Sequence, residues 1–290
     1  MTGMPPHPTF AGDRAAVAAV TAAVRAALGA DGRLGVAFSG GVDSATLLAL
    51  AVRAVGPDRV VAVLGVSPSL AADERSAAHE VAAFIGAPVV EVRTHEGDNP
   101  AYLVNGVDRC FYCKDELFTR VEDEVLDRHR LRAVAYGENA DDARRPDRPG
   151  ARAAIEHDVL RPLADAGLDK AAVRRVARAL HLPCADKPAA PCLASRVPHH
   201  EPVTREKLAQ VELAEKGLRQ LGFRDFRVRH HGDVARVELP GEDIARATAP
   251  ELRDRVLAAV REAGFRFVAV DLAGIQSGAF TLPLVAVTRG

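Results

Sequence analysis

Leu34-Gly-Val-Ala-Phe38 runs straight into Ser39-Gly-Gly-Val-Asp-Ser44, and a regular apolar stretch follows from Ala45 to Val55. The first five residues read as a buried strand and the last eleven as a helix, so the six between them form a strand-to-helix turn. Gly40 and Gly41 permit positive φ and let an anion approach bare backbone closely. Asp43 and Ser44 fall where the helix begins, and the orphan N–H groups and dipole there favour negative charge. No Lys follows the glycines, so this is not the G-x-x-x-x-G-K-[ST] phosphate loop. It is nevertheless a turn fit to hold a polyphosphate.

Outward from this turn, strands and helices alternate from residue 14 to 181. Helix is expected over Ala15–Leu28, 43–55, Asp73–Ile85, Lys114–His129 and Lys170–Leu180, and strand over 34–38, Arg59–Val66, Pro88–Arg93 and Ala133–Gly137. The last strand ends in Glu138-Asn-Ala-Asp-Asp142, and the polar run Arg144–Arg152 reads as a mobile loop. Asp141 and Asp142, at a strand's carboxyl end, suit either a metal or ribose contact or plain solvation. Such alternation implies an α/β fold, a parallel sheet with helices on both faces and ligands at the carboxyl ends of its strands. From Leu182 to Pro202 five prolines break all periodicity. Beyond it come helix Thr204–Leu221, strands at Asp225–His230 and Ala235–Leu239, helix Pro250–Ala263 and strand Arg266–Asp271. The expected division is therefore a nucleotide domain over 13–181, a Pro-rich cysteine loop over 182–203, and a small C-terminal α+β domain over 204–290.

Composition is that of an ordinary soluble chain. Of 290 residues 48% are hydrophobic and 27% charged, and the formal net charge is −1. A neutral balance without a basic block speaks against a dedicated nucleic-acid binder. No apolar run reaches transmembrane length and no signal-peptide pattern opens the chain, so a cytoplasmic protein with no membrane partner is expected.

Cys110 and Cys113 form a C-x-x-C pair, Cys184 follows the 170–180 helix, and Cys192 lies in the Pro-rich segment. A structural disulfide is not expected in the cytoplasm. The pair suits a redox dithiol or part of a metal site, and three thiolates converging on one point suit a [4Fe–4S] cluster with one iron open. Cys192, with Lys187 and Arg196 a few positions away, has the cationic surroundings that favour a nucleophilic thiolate. Cys184 beside Leu182 reads as core filler. His199 and His200 read as exposed, His230 and His231 as turn residues. Arg227 and Arg229 alternate by two and share one face of their strand.

The motifs together carry a resemblance. Ser39–Ser44 is similar to the pyrophosphate loop of enzymes that split ATP into AMP and pyrophosphate. Taken with Arg109-Cys-x-x-Cys-Lys114, Gly137-x-Asn139-Ala-Asp-Asp142, Arg161-Pro-Leu163, Lys187-Pro-x-x-x-Cys-Leu-Ala-Ser-Arg196, Arg227-Val-Arg229-His-His-Gly232 and Arg236-Val-Glu238, it resembles the LarE family over nearly the whole chain. That family comprises ATP-dependent sulfur transferases of nickel-pincer nucleotide biosynthesis, with the PP-loop, adenine-nucleotide alpha hydrolase-like fold. The resemblance implies ATP and Mg2+ at Ser39, Gly40, Gly41, Asp43 and Ser44, with Lys187 on the phosphates. It implies pyridinium-3,5-biscarboxylic acid mononucleotide as substrate, anchored by Ser195, Arg196, Arg227 and Arg229, and sulfur delivered from Cys192. Single-cysteine members sacrifice that cysteine. This chain looks like the three-cysteine version, in which Cys110, Cys113 and Cys192 hold a [4Fe–4S] cluster. A homo-oligomer is implied, as are transient contacts with other nickel-pincer enzymes. Thiolation of a tRNA base, amide synthesis and a non-catalytic nucleotide sensor or iron–sulfur carrier are the competing readings. Neutral charge, the lack of a glutaminase domain, and the joint presence of Asp43, Ser44, Lys187 and Cys192 weigh against them in turn.

Overall fold

The computed structural model describes residues 4–5, 9–145 and 149–276. Two compact units make up the chain: Met1–Glu96 with Cys110–Ala190, and Gly97–Arg109 with Pro191–Gly290.

The larger unit carries a four-stranded, wholly parallel sheet: β1 (Arg33–Ala37), β2 (Val60–Val66), β3 (Val89–Arg93) and β4 (Leu131–Tyr136), in the order β3-β2-β1-β4. The helices of eight residues or more that serve it are α1 (Arg14–Leu28), α2 (Val42–Val55), α3 (Ala72–Ile85), α4 (Arg109–Val121), α5 (Pro149–Glu156) and α6 (Lys170–Ala179). Alternation along the strands explains why both faces are covered. Leu34, Val36, Val60, Ala62 and Leu64 enter one core with residues of α1, α2, α3 and α6, while Val61, Val63 and Val92 enter another with Val121 and Val125. β2 is apolar on both faces, as a central parallel strand must be. The chain leaves β1 toward β2 and later returns to its other side as β4, so the crevice past the carboxyl ends of β1 and β4 is a topological switch point.

The expected α/β class and parallel sheet are what is found, with local differences. α4 begins at Arg109 rather than at Lys114, so the C-x-x-C pair lies inside the helix instead of before it. Arg109 is buried and hydrogen-bonded, which holds the helix start five residues early. Its continuation passes through a π-helical turn at Glu122–Leu126 before ending at His129. The expected mobile loop at 144–152 is helical from Pro149, because Ala153 and Ala154 pack with Phe118 and Tyr136; positions 146–148 lie outside the described residues.

The smaller unit carries a three-stranded sheet, with β5 (Arg227–His231) antiparallel to β6 (Val234–Glu238) and β6 parallel to β7 (Phe267–Val270). Its helices are α7 (Arg205–Gln220), capped by Thr204, α8 (Gly241–Thr248) and α9 (Pro250–Glu262). His230 is not a turn residue. It is buried in β5, its ring against Phe265 and its Nε2 3.1 Å from Gln210 Oε1. Burial lowers the pKa of both His230 and His231 from the ordinary 6.5. The folded unit thus holds them neutral while the unfolded chain takes protons below that value, so their stabilisation is complete above it and lost as pH falls. Melting of the protein between about pH 7 and pH 5 checks this: the smaller unit's transition moves to lower temperature on acidification, and less so in His230→Gln.

Candidate active site

The Ser39–Ser44 turn sits at the switch point, between β1 and the start of α2. Ser44 Oγ donates to Gly41 O at 3.1 Å and accepts from Ser39 N at 3.3 Å, and Gly41 N donates to Ser39 Oγ at 3.4 Å, so the hairpin of backbone is held from within. Two glycines fit it to its neighbours. Gly40 has φ +71°, and a Cβ there would lie 2.8 Å from Ala78 Cα of α3. At Gly137, just past β4, a Cβ would lie 2.5 Å from Ser44 N and 2.7 Å from Asp43 C. Both obstacles at Gly137 are backbone, so Gly137→Ala has to push the turn away. We expect a loss on the order of 1–3 kcal/mol and a weakened ATP affinity, read by melting and by nucleotide titration.

Asp43 ties the turn to the elements around it. Lys170 Nζ, from the first turn of α6, donates to its Oδ2 at 2.5 Å, and Asn139 Nδ2 donates to its Oδ1 at 3.3 Å. Asn139 also caps the short helix Ala140–Ala143, accepting from Asp142 N and donating to Asp142 Oδ2 at 2.8 Å. Asp141 Oδ2 accepts from Lys170 N at 3.0 Å. Asp141 and Asp142 are therefore structural parts of this crevice rather than merely solvated. Lys170 is a residue that sequence reasoning missed. Its only signal was the Asp169-Lys170 pair opening an amphipathic helix, and nothing there indicated that α6 would bring it to Asp43.

Lys187, expected on the phosphates, forms an ion pair with Glu74 of α3 at 2.7 Å. Its backbone O and that of Ala185 accept from Arg174. Cys184 is buried nearby, and burial pushes its thiol pKa up, in keeping with a filler role. Glu138, which directly follows Gly137, is a buried carboxylate whose Oε2 lies 3.5 Å from Arg161 Nη1.

The smaller unit holds the other expected residues. Cys192 is exposed and precedes a 3-10 turn, Leu193–Arg196, closed by Ser195 N donating to Cys192 O at 2.9 Å. Arg196 is buried against Glu215, with Nε–Oε1 at 2.8 Å and Nη2–Oε2 at 3.3 Å. Ser195 Oγ accepts from Arg196 Nη1 at 2.9 Å. Arg229 makes a two-pronged pair with buried Glu238, both contacts near 2.8–2.9 Å, and Arg227 Nη1 donates to Gln276 O at 3.0 Å. The forks of Arg196 and Arg229 are thus directed at internal carboxylates, a use their shared polarity and alternation did not reveal. His199 is likewise half-buried rather than exposed, its Nδ1 3.1 Å from Asn105 O.

Cys110 is exposed and Cys113 half-buried, three residues apart and so on one side of α4. Among the described residues no group of three or more His, Cys, Asp or Glu side chains is gathered so as to hold a metal ion. No helix among them is long and apolar enough to cross a membrane.

Comparison with known proteins agrees with this geometry. Residues 16–134, from α1 to β4, match the asparagine synthase family. The chain is 40% identical over 248 residues to an uncharacterized protein of Synechocystis, covering 84% of this chain and 90% of that one. It is 35% identical over 246 residues to the pyridinium-3,5-bisthiocarboxylic acid mononucleotide synthase of Lactiplantibacillus plantarum, covering 85% and 88%. An uncharacterized protein of Methanocaldococcus jannaschii is 26% identical over 59% of this chain. A parallel sheet whose central strand feeds S-G-G-V-D-S into a helix at the switch point defines a PP-loop ATP pyrophosphatase, an ATP-using enzyme. Within that class, the chain belongs to the LarE family, that of the Lactiplantibacillus synthase.

Proposed function

We propose that the protein is an AMP-forming sulfur transferase that converts a carboxylate of pyridinium-3,5-biscarboxylic acid mononucleotide into a thiocarboxylate. The reading is carried by one combination: an Asp43-centred pyrophosphate turn at the switch point, in a chain 35% identical over 88% of a synthase named for the bisthiocarboxylic product. The main-chain N–H groups of Gly40 to Ser44 receive the ATP phosphates, and Lys187 and Lys170 supply positive charge beside them. Asp43 is the residue that would face Mg2+, which supplies charge neutralisation on the phosphates when bound.

A carboxylate oxygen of the acceptor attacks the α-phosphorus and the bond to pyrophosphate breaks, giving an acyl-adenylate. Activation is required because a carboxylate oxygen is a poor leaving group and AMP a good one. Cys192 is the sulfur site: a sulfur nucleophile there attacks the acyl carbon, the acyl–AMP bond breaks, and AMP departs with the electron pair. Ser195 and Arg227 belong to the acceptor side of this proposal, with Arg196 and Arg229 supporting the loop that carries them.

Cys110, Cys113 and Cys192 are the three thiols not buried in the core, and as a donor set they are chemically suited to a [4Fe–4S] cluster. When bound, such a cluster would supply sulfide on its open iron. A second reading, sacrifice of Cys192 itself, is favoured by the exposure of that thiol: its sulfur attacks the acyl carbon as AMP leaves, and loss of the Cα proton with cleavage of the Cβ–Sγ bond then releases the thiocarboxylate and leaves dehydroalanine at 192. Anaerobic turnover with ATP and the biscarboxylic mononucleotide tests the whole proposal. Pyrophosphate, AMP and an acceptor with sulfur in place of oxygen are expected, and pyrophosphate release without any thiolated product overturns it. Intact-protein mass separates the two sources, since sacrifice removes one sulfur from the polypeptide and a cluster-borne sulfide leaves it unchanged. The protein is further proposed to act in the cytoplasm as a homo-oligomer with transient nickel-pincer partners, without nucleic acid.

A further inference from the structure

The Cys192 segment is a Pro-rich stretch with a single short turn, yet its backbone is captured along its length by side chains of the smaller unit. The carbonyl of Pro191 accepts from Arg196 Nη1 at 2.9 Å, that of Ala194 from Arg109 Nη1 at 3.0 Å, and that of Ser195 from Arg229 Nη1 at 2.8 Å. Past the turn, Asn105 Nδ2 lies within hydrogen-bond reach of three carbonyls: Val197 at 3.2 Å, Pro198 at 2.7 Å and Glu201 at 3.1 Å.

Asn105 is the centre of this arrangement. It is fully buried and sits at φ +58°, a left-handed conformation that Asn tolerates better than most residues. Its Oδ1 accepts from Arg109 Nη1 at 2.5 Å, joining the two residues into one unit, and its own carbonyl accepts from His200 N at 3.1 Å. Val203 N donates to Leu103 O at 3.1 Å and extends the same pairing. The stretch 97–109 thus replaces the ladder partner that an irregular loop lacks, since buried carbonyls without donors are costly. The backbone is thereby held on both sides of Cys192.

We propose that Asn105 and Arg109 are positioning residues for Cys192: they hold the 191–201 backbone so that the thiol is presented in one orientation to the activated acceptor. The proposal rests on the reading of Cys192 as the sulfur site. Reacting atoms must meet within a narrow range of distance and angle, so release of this loop costs sulfur transfer without touching adenylation.

The test uses the full chain and the variants Arg109→Gln, Arg109→Lys, Asn105→Ser and Cys192→Ser. Hydrogen exchange is followed in peptides covering 191–201, alongside pyrophosphate release and thiolated product. In Arg109→Gln and Asn105→Ser, exchange over 193–201 is expected to speed up about tenfold or more, with peptides of the larger unit unaltered outside the first turn of α4, which Arg109 opens. Product formation falls roughly a hundredfold while pyrophosphate release stays within about twofold. Arg109→Lys, which keeps the charge and one donor, regains part of the product rate. A general structural role would instead raise exchange throughout the unit and gain nothing from Lys, and that result overturns the proposal. So does unchanged exchange over 193–201 in Arg109→Gln or Asn105→Ser; Arg109→Lys is expected to show an intermediate acceleration, and should the other two not fold, its lack together with an undiminished product rate overturns the proposal. Should Cys192→Ser form product at the normal rate, the sulfur-site reading fails, while the exchange data still report whether the tether exists.

Discussion

Asp43→Asn lowers ATP-dependent pyrophosphate release by on the order of a hundredfold or more, the scale seen when one preorganised electrostatic group is removed from a reacting centre. The variant keeps the side chain's size and its ability to meet Asn139, so the turn is preserved. What goes is the negative charge that holds Lys170 and that the proposed function sets before a phosphate-bound cation. The Asp43–Lys170 pair is partly exposed, at 21% and 39% of side-chain area, so its loss shifts stability by no more than about 1 kcal/mol. A melting temperature near that of the parent together with lost release supports a catalytic use of the carboxylate. Normal release would remove Asp43 from the site. Lys170→Ala separates the two partners: if Lys170 also contacts phosphate, KM for ATP rises, whereas a lysine serving only to neutralise Asp43 leaves it unchanged.

Cys192→Ala abolishes thiolated product while pyrophosphate release and AMP formation continue, because adenylation is assigned to the larger unit and the sulfur step to this thiol. Cys192 is exposed and the hydrogen bonds that hold its neighbours run through backbone carbonyls, so melting of the variant is expected within about 0.5 kcal/mol of the parent. Cys184→Ala is the contrasting variant. That thiol is buried among Leu180, Leu182 and Ala185, and its removal costs stability without altering product. Product formation by Cys192→Ala would locate the sulfur elsewhere, with Cys110 and Cys113 the next thiols to replace.

Much of the larger unit was legible because its signals are local. β2 is a run of apolar residues, α2 and α6 show the helical period, and S-G-G-V-D-S can hardly be read without its helix start. The start of α4 is not legible in Arg109-Cys-Phe-Tyr-Cys, which shows no strong period. What makes it helical is the burial of Arg109 against Asn105 and Ala194, residues close and distant in sequence. The end of β5 at His231 is hidden for a related reason. Two histidines before Gly232 look like a turn, but pairing with β6 extends the strand through His231.

The arginines mark the limit most clearly. Their spacing could show that Arg227 and Arg229 share a face, not that Glu238 lies across the ladder from it or that Glu215 on α7 reaches Arg196. The amino-acid sequence alone determined the parallel α/β fold and the glycine turn between strand and helix, and it marked the candidate thiols, since each depends on residues adjacent or periodic along the chain. Only the tertiary structure decided that Lys170 meets Asp43, that Lys187 is paired with Glu74, and that Asn105 and Arg109 hold the Cys192 loop. Those pairings join residues far apart in the chain, and a charged or amide side chain finds its partner only after packing has fixed which helices and loops are neighbours.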